Sequence, residues 1–347
     1  MNLDCRQEVD VNDNSFDYIR IACAILILFG HYLTHFKISS DISYFVAYFV
    51  RGVPIFFFLS GFFTARSMER YTLRNFFKNR LFRLYPPLWL CMLINLFIIL
   101  IFYVVKPTVK DLMIYSATQF TFLQFYGGNW LSNYGVGVPN GALWTIAVDI
   151  QYYLIVIFVV KYLKQKSLKV WLSVVSSFAT LSLLIDKYEF LFSTIIFKLL
   201  SVSLIPFFYI FLFGMMLYYF KDRLIPLILR YKWWIVSLYI IWSLLPTSIR
   251  FVFSGVRYNV VSTLLLLITL IVVGYGFGKH RLKTDYSYAF YLYHMVVINF
   301  VKDRFHPTID TGVEAVLIFL LIVLVTSVLS YGSVQLLDKR LIPRWYK

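Results

Sequence analysis

Long apolar runs separated by short polar stretches dominate the chain. They lie near residues 17–36, 43–64, 86–105, 143–160, 169–186, 190–220, 233–249, 258–277, 286–301 and 313–337. A helix of about 20 apolar residues crosses a hydrocarbon core about 30 Å thick. The pattern therefore predicts an all-α polytopic membrane protein with about ten transmembrane helices. Two runs carry breaks. Run 190–220 is too long for one span and holds Lys198 and Pro206, which predicts a break or a tilted entry helix before the proline. Arg51-Gly52-Val53-Pro54 interrupts the second run and predicts a kink, with Arg51 held near the outer half or snorkelling outward.

Residues 106–142 form one long connection with two characters. The first part, KDLMIYSATQFTFLQF, reads as a re-entrant or interfacial helix. The second, YGGNWLSNYGVGVPNG, is rich in Gly, Asn and aromatics and nearly uncharged. That composition suits a loop that contacts substrate, and it equally suits an interfacial aromatic belt with ordinary turns.

Composition agrees with a membrane protein: 60% of residues are hydrophobic, 20% aromatic and 14% charged. The net charge of +16 could point to nucleic acid, but the basic residues follow topology. Alternate loops hold most of them, including Arg66, Arg70, Arg74, Lys78, Arg80 and Arg83 in one loop and Lys161, Lys164, Lys166 and Lys169 in another. By the positive-inside rule both termini face the cytoplasm, so the charge encodes orientation and not nucleic-acid binding. Residues 1–15 are polar and acidic and do not resemble a secretory signal, so the first run is expected to remain in the mature protein. The expected organisation is a cytoplasmic tail at 1–15, a membrane domain at 16–337 and a second cytoplasmic tail at 338–347. Cys5, Cys23 and Cys91 lack ligand or redox spacing, which argues against a disulfide framework.

Candidate chemistry starts with Arg20 and His31 in the first run, FDYIRIACAILILFGHYLTHF. A charge and a titratable group at bilayer depth are costly and mark function by default. Eleven helical steps of about 100° bring both to one face, about 16 Å apart along the axis. His31 can take a proton from a hydroxyl nucleophile or carry an acyl group. The plainer alternative is a histidine bonded within the bundle and an arginine snorkelling to the inner surface. Depth adds Asp149. His31 lies roughly 21 Å from the inner end of its span, and Asp149 comes to about the same depth in the fourth. A carboxylate there can orient the imidazole, or it can pair with Arg51 or a backbone group instead. His31 and His35 also have the i, i+4 spacing of a two-histidine metal site, but no acidic third ligand is local, so no metal is expected. In NRLFRLYPPLWL, residues 79–90, Arg80 and Arg83 lie one turn apart and can clamp phosphates at the membrane surface, or simply anchor the inner side.

These segments, in order, resemble the acyltransferase-3 family of integral-membrane O-acyltransferases. The arginine, ten residues, then histidine matches Arg20 and His31; the Phe-rich segment ending Ser-Gly-Phe matches IFFFLSGFF with Ser60 and Gly61. Arg-x-x-Arg-x-x-Pro matches Arg80, Arg83 and Pro86, beside Tyr85. Leu-Trp-Ser-x-x-x-Glu matches LWTIAVD with Trp144 and Asp149, and the late Ser-Tyr-x-x-Tyr-Leu-x-His matches SYAFYLYH with Tyr291 and His294. The chain departs from the pattern at Thr145, where serine is usual, at Asp149, where glutamate is usual, and at Ile150, where a second acidic residue often follows. The resemblance also leads us to expect the membrane domain alone, ending after the tenth span, whereas some relatives carry an added soluble hydrolase-like domain.

The resemblance implies transfer of an acetyl group from cytoplasmic acetyl-CoA, a co-substrate, to a hydroxyl of a bacterial surface carbohydrate such as O-antigen or a lipid-linked glycan. No tightly bound cofactor is implied. His31, Arg20 and Asp149 would be catalytic, and Arg80, Arg83, Tyr85 and Pro86 would bind acyl-CoA. Arg51, Ser60, Gly61, Tyr126, Trp130, Trp144, Tyr291 and His294 would line the substrate path, with Asn129 and Tyr134 completing a sugar-stacking platform. Membrane lipid and glycan-assembly proteins are the further expected partners, and the inner membrane the expected location. A rival reading is a transporter or flippase for a lipid-linked glycan with Arg20, His31 and Asp149 as a proton relay. The absence of an evident paired-half repeat disfavours it. A third reading is a noncatalytic membrane partner of a glycan-assembly complex.

Overall fold

A computed structural model describes residues 9–38, 51–124, 126–276 and 282–340. All regular structure among them is helical. Each predicted apolar run falls on a helix or on a bent pair of helices, although the part at 43–50 and Cys5 lie outside the described residues. Among the described residues five helices are long and apolar enough to cross a membrane: Phe16–His35, Leu73–Phe102, Trp144–Leu163, Leu168–Lys187 and Gly312–Leu337. Counting each of two bent pairs as one span gives up to seven. The count of about ten is thus only partly matched, for reasons visible in the residues. Val260–Gly276 is short, and Gly52–Arg70 and Ser287–Phe305 end in charged turns containing Arg66, Glu69 and Arg70, or Lys302, Asp303 and Arg304.

The chain forms two compact units, one from Met1–Arg20, Tyr48–Thr72 and Val148–Lys283, the other from Ile21–Ala47, Leu73–Ala147 and Thr284–Lys347. At the centre of the first unit, helix Gly52–Arg70 packs along Phe208–Tyr219. Two glycines permit that approach. A Cβ on Gly61 would strike the Phe211 carbonyl, and one on Gly214 would strike the Phe58 carbonyl. Small residues that let helix backbones meet are the usual way apolar helices associate without a hydrophobic drive between them. Tyr152 stacks on Phe211 with centroids 4.4 Å apart, and Phe178 meets Phe208 edge-on at 4.9 Å.

The predicted break before Pro206 is present. Thr194–Leu200 ends, residues 201–204 turn, and the chain resumes at Ile205 with a bend of 46°. Backbone groups freed at the break find side-chain partners. Leu204 N donates to Gln151 Oε1 at 2.9 Å, and Arg257 Nε donates to the Ser201 carbonyl at 3.1 Å. The expected kink at residues 51–54 is a helix start instead. Arg51 is extended (φ −92°, ψ 100°) and the helix begins at Gly52. Pro54 then sits in the first turn, where its missing N–H costs nothing.

In the second unit, helix Leu73–Phe102 carries Pro86 and Pro87 in its interior, and Ser287–Phe305 packs beside it and beside Gly312–Arg340. Tyr288 Oη donates to the Leu84 carbonyl at 3.0 Å, close to the ladder that the two prolines interrupt. The predicted helix in the long connection is Val109–Gln119, closed by a capping box between Thr108 and Asp111. Cys23 and Cys91 are buried free thiols.

Candidate functional site

Helix Phe16–His35 opens with Phe16 buried edge-on among Phe62, Phe63 and Tyr275 in the first unit. Gly274 leaves room for that ring, because a Cβ there would strike it. Arg20, one turn on, donates from Nη1 to Asp17 Oδ1 at 3.1 Å and lies 4.7 Å over the Phe63 ring. Asp17 was absent from the sequence-derived site. Its i, i+3 spacing to Arg20 was the available signal, and as an acid in a first turn it also complements the helix dipole.

The same helix continues into the second unit, where contacts on either side of His31 hold it. Tyr32 Oη donates to the Ala315 carbonyl at 2.7 Å, and Phe29 meets Phe319 edge-on at 5.2 Å. His31 itself is partly exposed. His35 stacks on it with centroids 5.5 Å apart and planes 1° from parallel. The other neighbour is His294, whose ring centre lies 5.3 Å away at a tilt of 32°. Among the described residues no three His, Cys, Asp or Glu side chains gather as metal ligands.

His294 is wholly buried, and its Nδ1 lies 2.6 Å from the Tyr291 carbonyl. A carbonyl can only accept, so Nδ1 carries the proton and Nε2 presents a lone pair. Tyr291 Oη in turn donates to the Ala142 carbonyl at 2.5 Å and contacts Thr145 Oγ1 at 2.7 Å. Thr145 Oγ1 also reaches the Ala142 carbonyl at 3.2 Å, so the two hydroxyls and that carbonyl form one shared cluster. Thr145 thus fills the usual serine position with its hydroxyl in use. Asn140 Nδ2 donates to the Leu292 carbonyl at 2.8 Å, so the start of helix Trp144–Leu163 is tied to Ser287–Phe305 in two places. Trp144 is also buried.

The loop before it is equally fixed. Asn299, wholly buried, donates from Nδ2 to the Val138 and Pro139 carbonyls at 2.9 Å each and accepts from Val136 N at 3.0 Å. Asn95 Nδ2 adds a bond to Pro139 at 3.2 Å. Gly135 takes φ +54° directly against Asn299, where a Cβ would collide. Sequence reasoning missed both asparagines. The signal was a lone amide inside an otherwise apolar run, which needs partners when buried.

Several expected site residues take different roles. Gly61 is buried against the Phe211 backbone, where it serves helix packing. Ser60 is partly buried, 3.4 Å from Tyr153 Oη. Tyr134 offers no stacking face because it is 1% exposed in a cluster with Ile99, Tyr103, Tyr115 and Leu131. Trp130 packs on that cluster and is half-buried, while Tyr126 and Asn129 are exposed. Tyr134 and Trp130 turn inward because the loop's own core needs them, and Tyr126 does not. Arg51 lies 5.7 Å over the Tyr258 ring. Asp149 belongs to the first unit, partly buried, one turn after Thr145 on the same helix. Two imidazoles meet His31 within its own unit, His35 from the same helix and His294 from Ser287–Phe305.

Arg80 and Arg83 do not present a matched pair at the surface. Arg80 is 8% exposed and lies 5.6 Å over the Phe76 ring. The Arg83 side chain is 43% exposed and meets Asp285 at 3.8 Å. Tyr85 packs on Trp89 at 5.5 Å, and Pro86 stands inside the helix.

Comparison with known proteins agrees with these motifs. The chain is 24% identical over 316 residues to Nodulation protein 10 of Rhizobium leguminosarum bv. viciae, covering 82% of this chain and 83% of that protein. No solved structure matches. The acyltransferase domain model of the acyltransferase-3 family matches residues 13–332, from just before helix Phe16–His35 to within the last helix, and the chain belongs to that family of membrane acyltransferases.

Proposed function

We propose that the protein moves an acetyl group from cytoplasmic acetyl-CoA to a hydroxyl of a surface carbohydrate, O-antigen or a lipid-linked glycan, at a bacterial inner membrane. The observation that carries this reading is one helix bearing an ion-paired Arg20 and, eleven positions on, a partly exposed His31 held by packing on both sides. The bacterial source of the matched relative supports the setting. The exposed ion pair of Arg83 with Asp285 is worth at most about 1 kcal/mol, so a donor phosphate can displace it; Arg80 backs the site from the interior. Arg20 receives the thioester end of the donor.

His31 takes the proton of the acceptor hydroxyl as that oxygen attacks the thioester carbon. The carbon–sulfur bond breaks, the ester forms, and His31 returns the proton to the coenzyme A sulfur. Tyr126 and Asn129 offer the exposed loop surface for a sugar.

Labelled acetyl-CoA added to native membranes containing wild-type protein should label the glycan fraction. His31→Ala should abolish the label, and Arg83→Ala should raise KM for acetyl-CoA about tenfold with kcat little changed. Labelling that survives His31→Ala refutes the assignment of the base.

A further inference from the structure

A buried acceptor and a partly exposed donor lie side by side in the second unit. His294 Nε2 is an acceptor with no hydrogen-bond partner among the described residues, since Nδ1–H is committed to the Tyr291 carbonyl. The adjacent His31 ring carries one N–H when neutral, and no hydrogen bond to it occurs among the described residues. A buried polar atom left unmatched costs about 1–3 kcal/mol, so His294 Nε2 needs a donor, and the His31 ring beside it carries one. The spacing suits the pairing. A ring nitrogen lies about 1.1 Å from its ring centre, so two imidazoles joined by a bond of about 3 Å have centres about 5.2 Å apart. The observed separation is 5.3 Å. The centre-to-centre spacing therefore admits the bond once the His31 N–H is turned toward His294.

We infer that His294 is a positioning residue that accepts the ring N–H of His31 and so holds the second His31 nitrogen as the lone pair that receives the acceptor's proton. This rests on the reading of His31 as base. Which nitrogen of a histidine is free is set by the bond the other makes. Here the setting runs in a chain: Tyr291 carbonyl to His294 Nδ1–H, His294 Nε2 to His31 N–H, and the remaining His31 nitrogen to substrate. When His31 is protonated during turnover, the same bond becomes charge-assisted and stronger. A neutral histidine thereby does for His31 what a carboxylate does in a hydrolase triad, without placing another full charge at this depth. The Thr145–Tyr291–Ala142 bonds hold Tyr291 and, through the helix, the carbonyl at the head of the chain.

The two nitrogens of His294 can be tested separately. His294→Asn keeps an amide donor near the Nδ1 position, for the Tyr291 carbonyl, and removes the acceptor at Nε2. His294→Gln places an amide oxygen near Nε2. In the acetyl-transfer assay, His294→Asn should lower kcat about 100-fold, the low end of what a general base contributes, with KM for acetyl-CoA within about twofold. His294→Gln should recover about tenfold of that loss. As a readout independent of turnover, 15N-histidine NMR of the detergent-solubilised protein should find His31 in one tautomer in wild type and in a mixture in His294→Asn. Wild-type kcat in a folded His294→Asn variant overturns the inference. So does equal loss in the Asn and Gln variants, or a His31 tautomer unchanged by His294→Asn. If His31→Ala keeps activity, the base assignment itself fails. If His31→Ala is inactive while Asp149→Asn and not His294→Asn lowers kcat, the base stands and the carboxylate is its orienting partner.

Discussion

Removing the Asn299 side chain should free the loop it pins while leaving the helices folded. Asn299→Ala deletes three hydrogen bonds, to Val136 N and to the Val138 and Pro139 carbonyls, at a site with no solvent exposure. Each such bond contributes about 1 kcal/mol net. Pro139 retains its bond from Asn95, which limits the damage there. The loss is therefore about 3 kcal/mol, concentrated between residues 135 and 139. Local opening governs amide exchange in such segments, and 1.4 kcal/mol is a factor of ten. Hydrogen-exchange mass spectrometry in nanodiscs should find peptides covering 126–142 exchanging roughly 100-fold faster in the variant. Peptides from Gly312–Arg340 should be unchanged. Asn299→Asp should be at least as harmful, because it sets carboxylate oxygens against two carbonyls. Unchanged exchange in the loop would refute the claim that one side chain holds it, and equal acceleration everywhere would mean that Asn299 supports the whole unit and not the loop.

Gly61→Ala should destabilise the protein by about 1–3 kcal/mol, because its Cβ meets fixed backbone and not a movable side chain. Gly332→Ala, where a Cβ meets nothing within 4 Å, should be neutral or stabilising by up to about 1 kcal/mol; equal unfolding midpoints in detergent would contradict the packing role of Gly61. Asp111 gives a pH effect outside the spans. Its bonds to Thr108 hold its carboxyl below the usual carboxylate range. A depressed folded-state value means the cap is fully present above the ordinary range and is lost as pH falls through the lowered one. Protection of Val109–Gln119, corrected for intrinsic exchange, should therefore fall on acidification in wild type and be pH-independent in Asp111→Asn.

Much of the helical pattern follows from the chain alone because apolar length and proline position act locally. The runs place the helices, and Pro206 places the break whatever packs around it. The RxxR segment and the late histidine were also legible as motifs, since a motif needs only order along the chain. Exposure was not. Arg80 and Arg83 read alike as two arginines one turn apart, yet one is buried over Phe76 and the other meets Asp285 at the surface. Gly61 read as part of a substrate path because its backbone partner, Phe211, lies on a helix that no local pattern pairs with it. The loop at 126–142 read as a stacking surface, and Tyr134 and Trp130 turned inward once Tyr103 and Tyr115 supplied a core for them, leaving Tyr126 exposed.

Arg20 and His31 sum up the division. Their common helix, their spacing along it and the cost of placing them in an apolar run are properties of the sequence by itself. Their partners come from the tertiary structure: a phenylalanine face from the next helix for Arg20, and for His31 an imidazole whose free nitrogen is set by a carbonyl one turn earlier in its own helix. A hydrogen bond depends on direction and on distances of about 3 Å, and for residues far apart in the chain both are settled only when helices pack.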